Sequence, residues 1–232
     1  KSYNMSVLIF IDQSEGHVKK SSLEALTYGA DVAKQLGTTA EAIVLGTVSE
    51  DLAALGKYGV SKIHQVSNAA LNNVDAQVYA NVISESATSC GASVIVFSHN
   101  QTGKAVAARV AAKLKAGLVA GACALPDTSN GFSVKKTVFS GKAYAHVNIL
   151  SAVKVISLNP NSYKTVATEG TAAVEALAVT VNEPKVKITA VNKITGEVPL
   201  TEADIVVSGG RGLKGPEHWG ILVDLARELG AA

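Results

Sequence analysis

The run Ser208-Gly209-Gly210-Arg211-Gly212-Leu213-Lys214 holds the residue types and spacing that most readily do chemistry. A short apolar stretch, Ile205, Val206 and Val207, precedes it and reads as a buried strand, and residues 216–229 after it read as a helix. Strand, glycine turn and helix in this order hold anionic groups in α/β proteins, because backbone N–H groups and the positive helix end face the ligand. Arg211 offers directed donors to a phosphate or to a reduced, electron-rich ring; it would also suit a solvated turn. Gly209, Gly210 and Gly212 would let the backbone approach a cofactor, or would serve an ordinary turn with positive φ. Ser208 could donate to a phosphate or cap the turn. Lys214 adds charge beside them or lies exposed near the helix start. The unit stands at the end of the chain and reads as the beginning of a second α/β domain whose remainder is missing.

Other polar residues are weaker candidates. Asp12 and Glu24 flank the first strand-to-helix turn, but no base–nucleophile pair accompanies them. The segment Asp12-Gln13-Ser14-Glu15-Gly16 has one glycine and two acids, which disfavours phosphate. His99 follows an expected strand at its carboxyl end, where α/β sheets bind ligands, and otherwise reads as a polar loop residue. His17, His64, His146 and His218 complete the histidines and show no metal-ligand spacing. Gly103-Lys104 opens a helix after a strand, a place for phosphate by the helix dipole, yet lacks the rest of a Walker A loop and reads as structural. Cys90 and Cys123 form neither a disulfide framework nor a metal motif and read as small core or boundary residues, with a reducing compartment the simpler setting.

The elements that must position these residues follow from the apolar pattern. The chain has 232 residues, 47% hydrophobic but only 5% aromatic, so its core is aliphatic. Lys and Arg total 21 against 19 Asp and Glu, a net charge of +2 that gives no basic field for nucleic acid. No apolar run reaches the length of a membrane helix, which argues against membrane insertion, and no signal peptide is visible. Residues 6–11 form a continuous apolar run that reads as a central parallel strand. Strands are expected at 41–45, 61–66 and 93–97. Helices are expected from a cap at Ser21 or Ser22 to Gly37, from Asp75 to Ala87, and over 103–114, with a short turn at 52–55. After about Gly117 the segments 133–139, 143–149 and 153–158 follow one another closely and read as antiparallel meander strands. Two further strands are expected at 176–181 and 186–191. The fold class is thus α/β, a mostly parallel three-layer sheet with added antiparallel strands, with a domain boundary between Lys193 and Glu202, near residue 195.

Three segments carry a family likeness. Thr102-Gly103-Lys104 through Lys113-Leu114 resembles the "TGR…PRVAAKL" helix of the electron transfer flavoprotein alpha subunit. Val138-Phe139-Ser140-Gly141-Lys142-Ala143 resembles its "Y(A/S)GNA" hairpin, with Lys142 where the family has Asn. Val206-Val207-Ser208-Gly209-Gly210-Arg211-Gly212-Leu213 is similar, nearly letter for letter, to its "VSGGRG(L/M)" segment. The resemblance implies an N-terminal α/β domain that docks a beta subunit, followed by the first strand–loop–helix of an FAD-binding domain. It implies that Arg211, Ser208, Gly209, Gly210 and Gly212 lie near FAD, most of whose contacts would come from segments beyond Ala232. It further implies a carrier without substrate turnover, taking electrons from flavin dehydrogenases such as the acyl-CoA dehydrogenases of fatty acid beta-oxidation. These would pass to a quinone oxidoreductase, in the bacterial cytoplasm or, alternatively, the mitochondrial matrix. In that family the additional AMP belongs to the beta subunit. A different class, a free-standing AMP- or ATP-binding α/β domain, stays open, as does a purely structural scaffold.

Overall fold

The first strand, β1 (Ser6–Ile11), is buried at every position, so it has no face to give to water and must lie inside a sheet covered on both sides. A computed structural model describes residues 6–190, 200 and 203–232. In chain order there follow a tiny ribbon, β2 (Gln13–Ser14) with β3 (His17–Val18), then α1 (Lys20–Leu36), β4 (Ala40–Leu45), β5 (Lys62–Val66) and α2 (Ala76–Ser89). The chain continues with β6 (Ala92–Ser98), α3 (Gln101–Leu114), β7 (Gly117–Ala122), β8 (Ser133–Val138), β9 (Ala143–Asn148), β10 (Lys154–Leu158), β11 (Ala173–Ala176) and α4 (Gly220–Leu229). The chain divides into two compact units, Lys1–Lys187 and Ile188–Ala232. The boundary expected between Lys193 and Glu202 falls on a stretch of which only Leu200 is described.

The first unit is α/β. One nine-stranded sheet runs β11-β5-β4-β1-β6-β10-β7-β8-β9, parallel from β11 to β7 and antiparallel at β8 and β9. Alternation along β1 splits the core. Val7, Ile9 and Ile11 pack on the α1 side with Leu26, Tyr28 and Val32. Leu8 and Phe10 pack on the other side with side chains of α2 and α3, including Val82, Ile83 and Val106. The aromatic cluster there is small, Phe10 with Tyr79 and Phe97 at centroid distances of 6.1 and 5.6 Å.

Several expectations change. Residues 153–158 do not continue the antiparallel meander: β10 is parallel and sits between β6 and β7. Its buried Val155, Ile156, Ser157 and Leu158 need cover on both faces, which only an interior position supplies. The strand β7 was not expected, since Gly-Leu-Val-Ala-Gly-Ala is small and glycine-broken and gives no apolar run. The strand expected at 176–181 is displaced to β11, which adds to β5 with a last bond from Leu177 N–H to Gln65 O at 2.9 Å, while Val179 and Val181 pack with Leu177 on the α2–α3 core beyond the ladder. Residues 186–190 form no strand, and Val191 lies outside the described residues. Neither Ser21 nor Ser22 caps α1. Its N-cap is Lys19 without a side-chain bond, and the Ser22 hydroxyl instead bridges the N–H and C=O of Asp12 at 2.9 Å each.

The other termini obey the expected chemistry. The Asp75 carboxylate caps α2 by accepting from the N–H groups of Gln77 and Val78. Gly37 closes α1 in the left-handed region at φ 64°. Asn100 caps α3 by accepting from Gly103 N at 2.9 Å. Gly103 is dictated by space, because a Cβ there would stand 1.8 Å from the Ser98 carbonyl oxygen. We expect Gly103→Ala to cost about 1–3 kcal/mol or more by overpacking between β6 and α3, read as a lowered urea midpoint. Asp75→Ala is expected to cost about 0.5–2 kcal/mol through the lost cap. An unchanged midpoint in either variant contradicts the packing described.

Candidate functional site

The sequence singles out two places with the chemistry to hold a ligand, the carboxyl edge of the parallel sheet and the glycine turn of the second unit. At the carboxyl edge the polar groups are engaged with one another. Asp12 follows β1 and is 2% exposed. Its Oδ2 accepts from Lys19 Nζ and from Asn100 Nδ2, both at 2.8 Å. Ser98 Oγ donates to the Ser21 carbonyl at 2.7 Å. Asp12, Lys19, Asn100 and Ser98 thus tie β1, β6, α1 and α3 together, and Asp12 is an anchor rather than a catalytic acid. Glu24 points elsewhere and accepts from the Asn161 N–H at 2.8 Å. His99 lies at the end of β6, its Nδ1 2.8 Å from Ser157 Oγ. Burial, then the charges of Lys104 and Lys136, hold its pKa below the usual value. The start of α3 receives the Asn100 side chain, which supports the structural reading of Gly103-Lys104.

The second unit presents the predicted site residues differently from expectation. Residues 205–207 form no strand; Ile205 and Val206 are about half exposed at 46% and 50%. They run beside the last residues, with Val207 N–H donating to Ala232 O at 2.8 Å and Ala232 N–H to Ile205 O at 3.1 Å. Two hydrogen bonds make no ladder, which explains why the apolar triplet gains no sheet geometry. The expected helix over 216–229 is a 3₁₀ turn, Pro216–His218, followed by α4.

Ser208, Gly209, Gly210, Arg211 and Gly212 are all exposed and contiguous. Arg211 opens a one-turn 3₁₀ helix, Arg211–Leu213. Among the described residues its guanidinium has no hydrogen-bond or ion-pair partner. None of the three glycines has positive φ, so a left-handed turn is not the reason for them. Gly209 is packed: a Cβ would lie 2.3 Å from Leu213 Cδ1 and 2.5 Å from Leu222 Cδ1. Gly210 and Gly212 face open space, with nothing within 4 Å of where a Cβ would be. Beside Gly209 lies an apolar groove of about 300 Å³, walled by Val207, Trp219, Leu222, Val223 and Ala226. The turn therefore combines an unpaired cation, exposed backbone and an adjoining apolar wall. Among the described residues no helix is long and apolar enough to cross a membrane.

A third assembly lies at the opposite, amino end of the sheet and was not legible in the sequence. Glu41 from β4, His64 from β5 and Cys90 after α2 bring their polar atoms within 4.8 Å of one another. The hydrogen bond to Cys90, then that to Glu41, raises the His64 pKa to about 9. The trace in the sequence is slight, a Glu inside the otherwise apolar β4 and a His in the mixed Lys-Ile-His-Gln-Val of β5; their spacing of 23 residues names no motif.

The electron transfer flavoprotein domain family matches residues 7–183. An electron transfer flavoprotein subunit alpha from Syntrophomonas wolfei is 31% identical over 228 residues, covering 97% of this chain and 71% of the relative. One from Bacillus subtilis is 26% identical over 97% of this chain and 70% of the relative. A probable mitochondrial one from Cryptococcus neoformans is 29% identical over 98% of this chain and 67% of the relative. Among solved structures, a universal stress protein from Archaeoglobus fulgidus aligns at 16% identity and a TM-score of 0.33, over 47% of this chain and 87% of that one. With the family match running through the sheet and alpha subunits aligned across both units, the chain belongs to the electron transfer flavoprotein family, as a relative of its alpha subunits.

Proposed function

We propose that the chain serves in the alpha subunit of a heterodimeric, FAD-containing electron carrier, with no substrate turnover of its own. The observation that carries this reading, once the family is known, is the unpartnered Arg211 guanidinium in its exposed glycine turn. The residues present fit an anionic flavin nucleotide. Residues 205–214 contain no carboxylate, Gly210 and Gly212 leave space against the backbone, and an apolar wall adjoins.

In this reading FAD, when bound, supplies the reversible uptake and release of electrons. Arg211 donates to its phosphates or to its reduced ring, and Ser208 adds a hydroxyl donor. Gly209, Gly210 and Gly212 let the main chain come close. The fixed positive charge of Arg211 stabilises added negative charge nearby and so raises the reduction potential of the cofactor. The first unit docks the beta subunit through an aliphatic face. Electrons come from flavin dehydrogenases, the acyl-CoA dehydrogenases of fatty acid beta-oxidation among them, and leave to a quinone oxidoreductase. The compartment we assign is the bacterial cytoplasm, with the mitochondrial matrix as the alternative.

The test is the visible spectrum of the protein expressed from its natural gene together with a beta subunit. Flavin bands that co-purify with the pair are expected. A colourless pair that takes up no added FAD ends the carrier reading. In the flavin-loaded pair, Arg211→Ala is expected to weaken FAD binding about 10- to 100-fold, the loss that follows removal of one charged hydrogen bond, and to lower the reduction potential. Arg211→Lys should restore the potential better than the affinity, since it keeps the charge and loses the fork. Unchanged affinity and potential in Arg211→Ala would remove Arg211 from the site.

A further inference from the structure

The amino end of the sheet holds three metal-ligating side chains that the electron-carrier reading does not use. Glu41 is the second residue of β4, His64 is central in β5, and Cys90 is the residue after α2. The parallel register sets Glu41 opposite Lys62 and Ile43 opposite His64, and pairs Glu175 of β11 with His64. Side chains two apart on a strand share a face. Glu41, Lys62, His64 and Glu175 therefore project to the side on which Ile43 packs against α2 and α3, and α2 delivers Cys90 to it.

The three groups converge on one point. His64 Nε2 is 2.6 Å from Glu41 Oε2 and 3.5 Å from Cys90 Sγ. This is not the arrangement of a nucleophile, base and orienting acid, in which the acid and the nucleophile engage opposite ring nitrogens. Here both face Nε2, so a carboxylate oxygen, an imidazole nitrogen and a sulfur surround a single position. That geometry suits one cation. Zinc bonds of about 2.0–2.3 Å place tetrahedral ligand atoms about 3.3–3.7 Å apart. The sulfur–nitrogen separation already matches, and the oxygen–nitrogen pair needs to open by about 1 Å or less. That movement falls to Glu41, whose side chain is 19% exposed, because His64, 6% exposed, is held in the sheet.

A bound ion would displace the His64 and Cys90 protons, and the carboxylate, thiolate and neutral imidazole that remain sum to two negative charges, which a divalent ion neutralises. The neighbouring Lys62 is taken up by Glu175, its Nζ 3.1 Å from Oε2. Sulfur and nitrogen ligands select a borderline ion such as zinc over calcium or magnesium, which prefer oxygen alone. Cys90 and Glu41 are only partly buried, so an ion can approach the cluster from solvent.

We propose that Glu41, His64 and Cys90 form a binding site for one zinc-class divalent ion, which fastens β4, β5 and the α2–β6 turn together.

The experiment titrates the purified, reduced, chelator-treated protein with zinc chloride against a chromophoric chelator, and with cobalt(II) as a spectroscopic probe. One zinc per chain is expected. Cobalt should give a thiolate charge-transfer band in the near ultraviolet and the intense visible bands of tetrahedral coordination. Cys90→Ser and His64→Gln should each weaken zinc at least about 10- to 100-fold, the loss known even for groups standing behind the ligands, and Cys90→Ser should abolish the charge-transfer band. Cys123→Ser and His17→Gln should change nothing. The thermal midpoint of the wild type should rise with zinc, as for any ligand that binds only the folded state. Should the Cys90 or His64 variant fail to fold, the wild-type cobalt spectrum decides. Absence of the thiolate band, or zinc binding that survives Cys90→Ser in a folded variant, overturns the site. Neither result bears on flavin binding.

Discussion

A strand that is buried on both faces cannot exist by itself, and β1 imposes that constraint on everything around it. Burial of apolar surface is worth about 25 cal/mol per Å², so Val7, Ile9 and Ile11 demand one layer of cover and Leu8 and Phe10 another. The helices satisfy the demand from opposite sides, α1 on one and α2 with α3 on the other. The neighbours of β1, β4 and β6, are then interior strands too, and their side chains are mostly apolar for the same reason. Most of the slots in the core are filled by Val, Ile, Leu and Ala, with a few buried rings, Phe10, Tyr28, Tyr79 and Phe97, among them.

The carboxyl edge carries the consequence of ending such a strand. A chain leaving a buried strand must satisfy its backbone groups at once, or carry unpaired polar atoms into the interior. Asp12 and Ser22 do this for β1, and Asn100 does it for α3. The close contact of Gly103 with the Ser98 carbonyl lets α3 begin immediately after β6. Polar side chains in the ligand-binding region of an α/β fold are here spent on holding strands to helices. The arginine without a side-chain partner that the proposed site uses stands elsewhere, at Arg211.

The second unit is built on different terms. Its residues are mostly exposed, and α4 carries Ile221, Val223, Leu225 and Leu229 with 48–73% of their surfaces open. Its glycine turn is therefore shaped by local rules. Gly209 is needed where the backbone meets Leu213 and Leu222, whereas Gly210 and Gly212 meet nothing within the chain. Among the described residues, glycines without an internal reason to be glycine here flank an arginine without an internal partner.

The sequence alone determined the features that depend on nearest neighbours. The strand 6–11, the helix closed by Gly37, the Asp75 cap and the Ala-rich helix through Leu114 all arise from periodicity and capping chemistry within a few residues. The glycine turn stands out in the sequence by residue type, while its assignment to FAD comes from the family resemblance and belongs to the proposal. Tertiary structure decided what depends on distant partners. Residues 153–158 come after a hairpin and so looked antiparallel, yet β10 enters between β6 and β7, since only there are both its faces covered. Residues 205–207 have strand-like composition but no ladder, because a strand is defined by the chain beside it. Glu41, His64 and Cys90 belong to three separate segments and share no spacing. Their meeting is set by the register of β4 on β5 and by where α2 ends, quantities that no local pattern of residues contains.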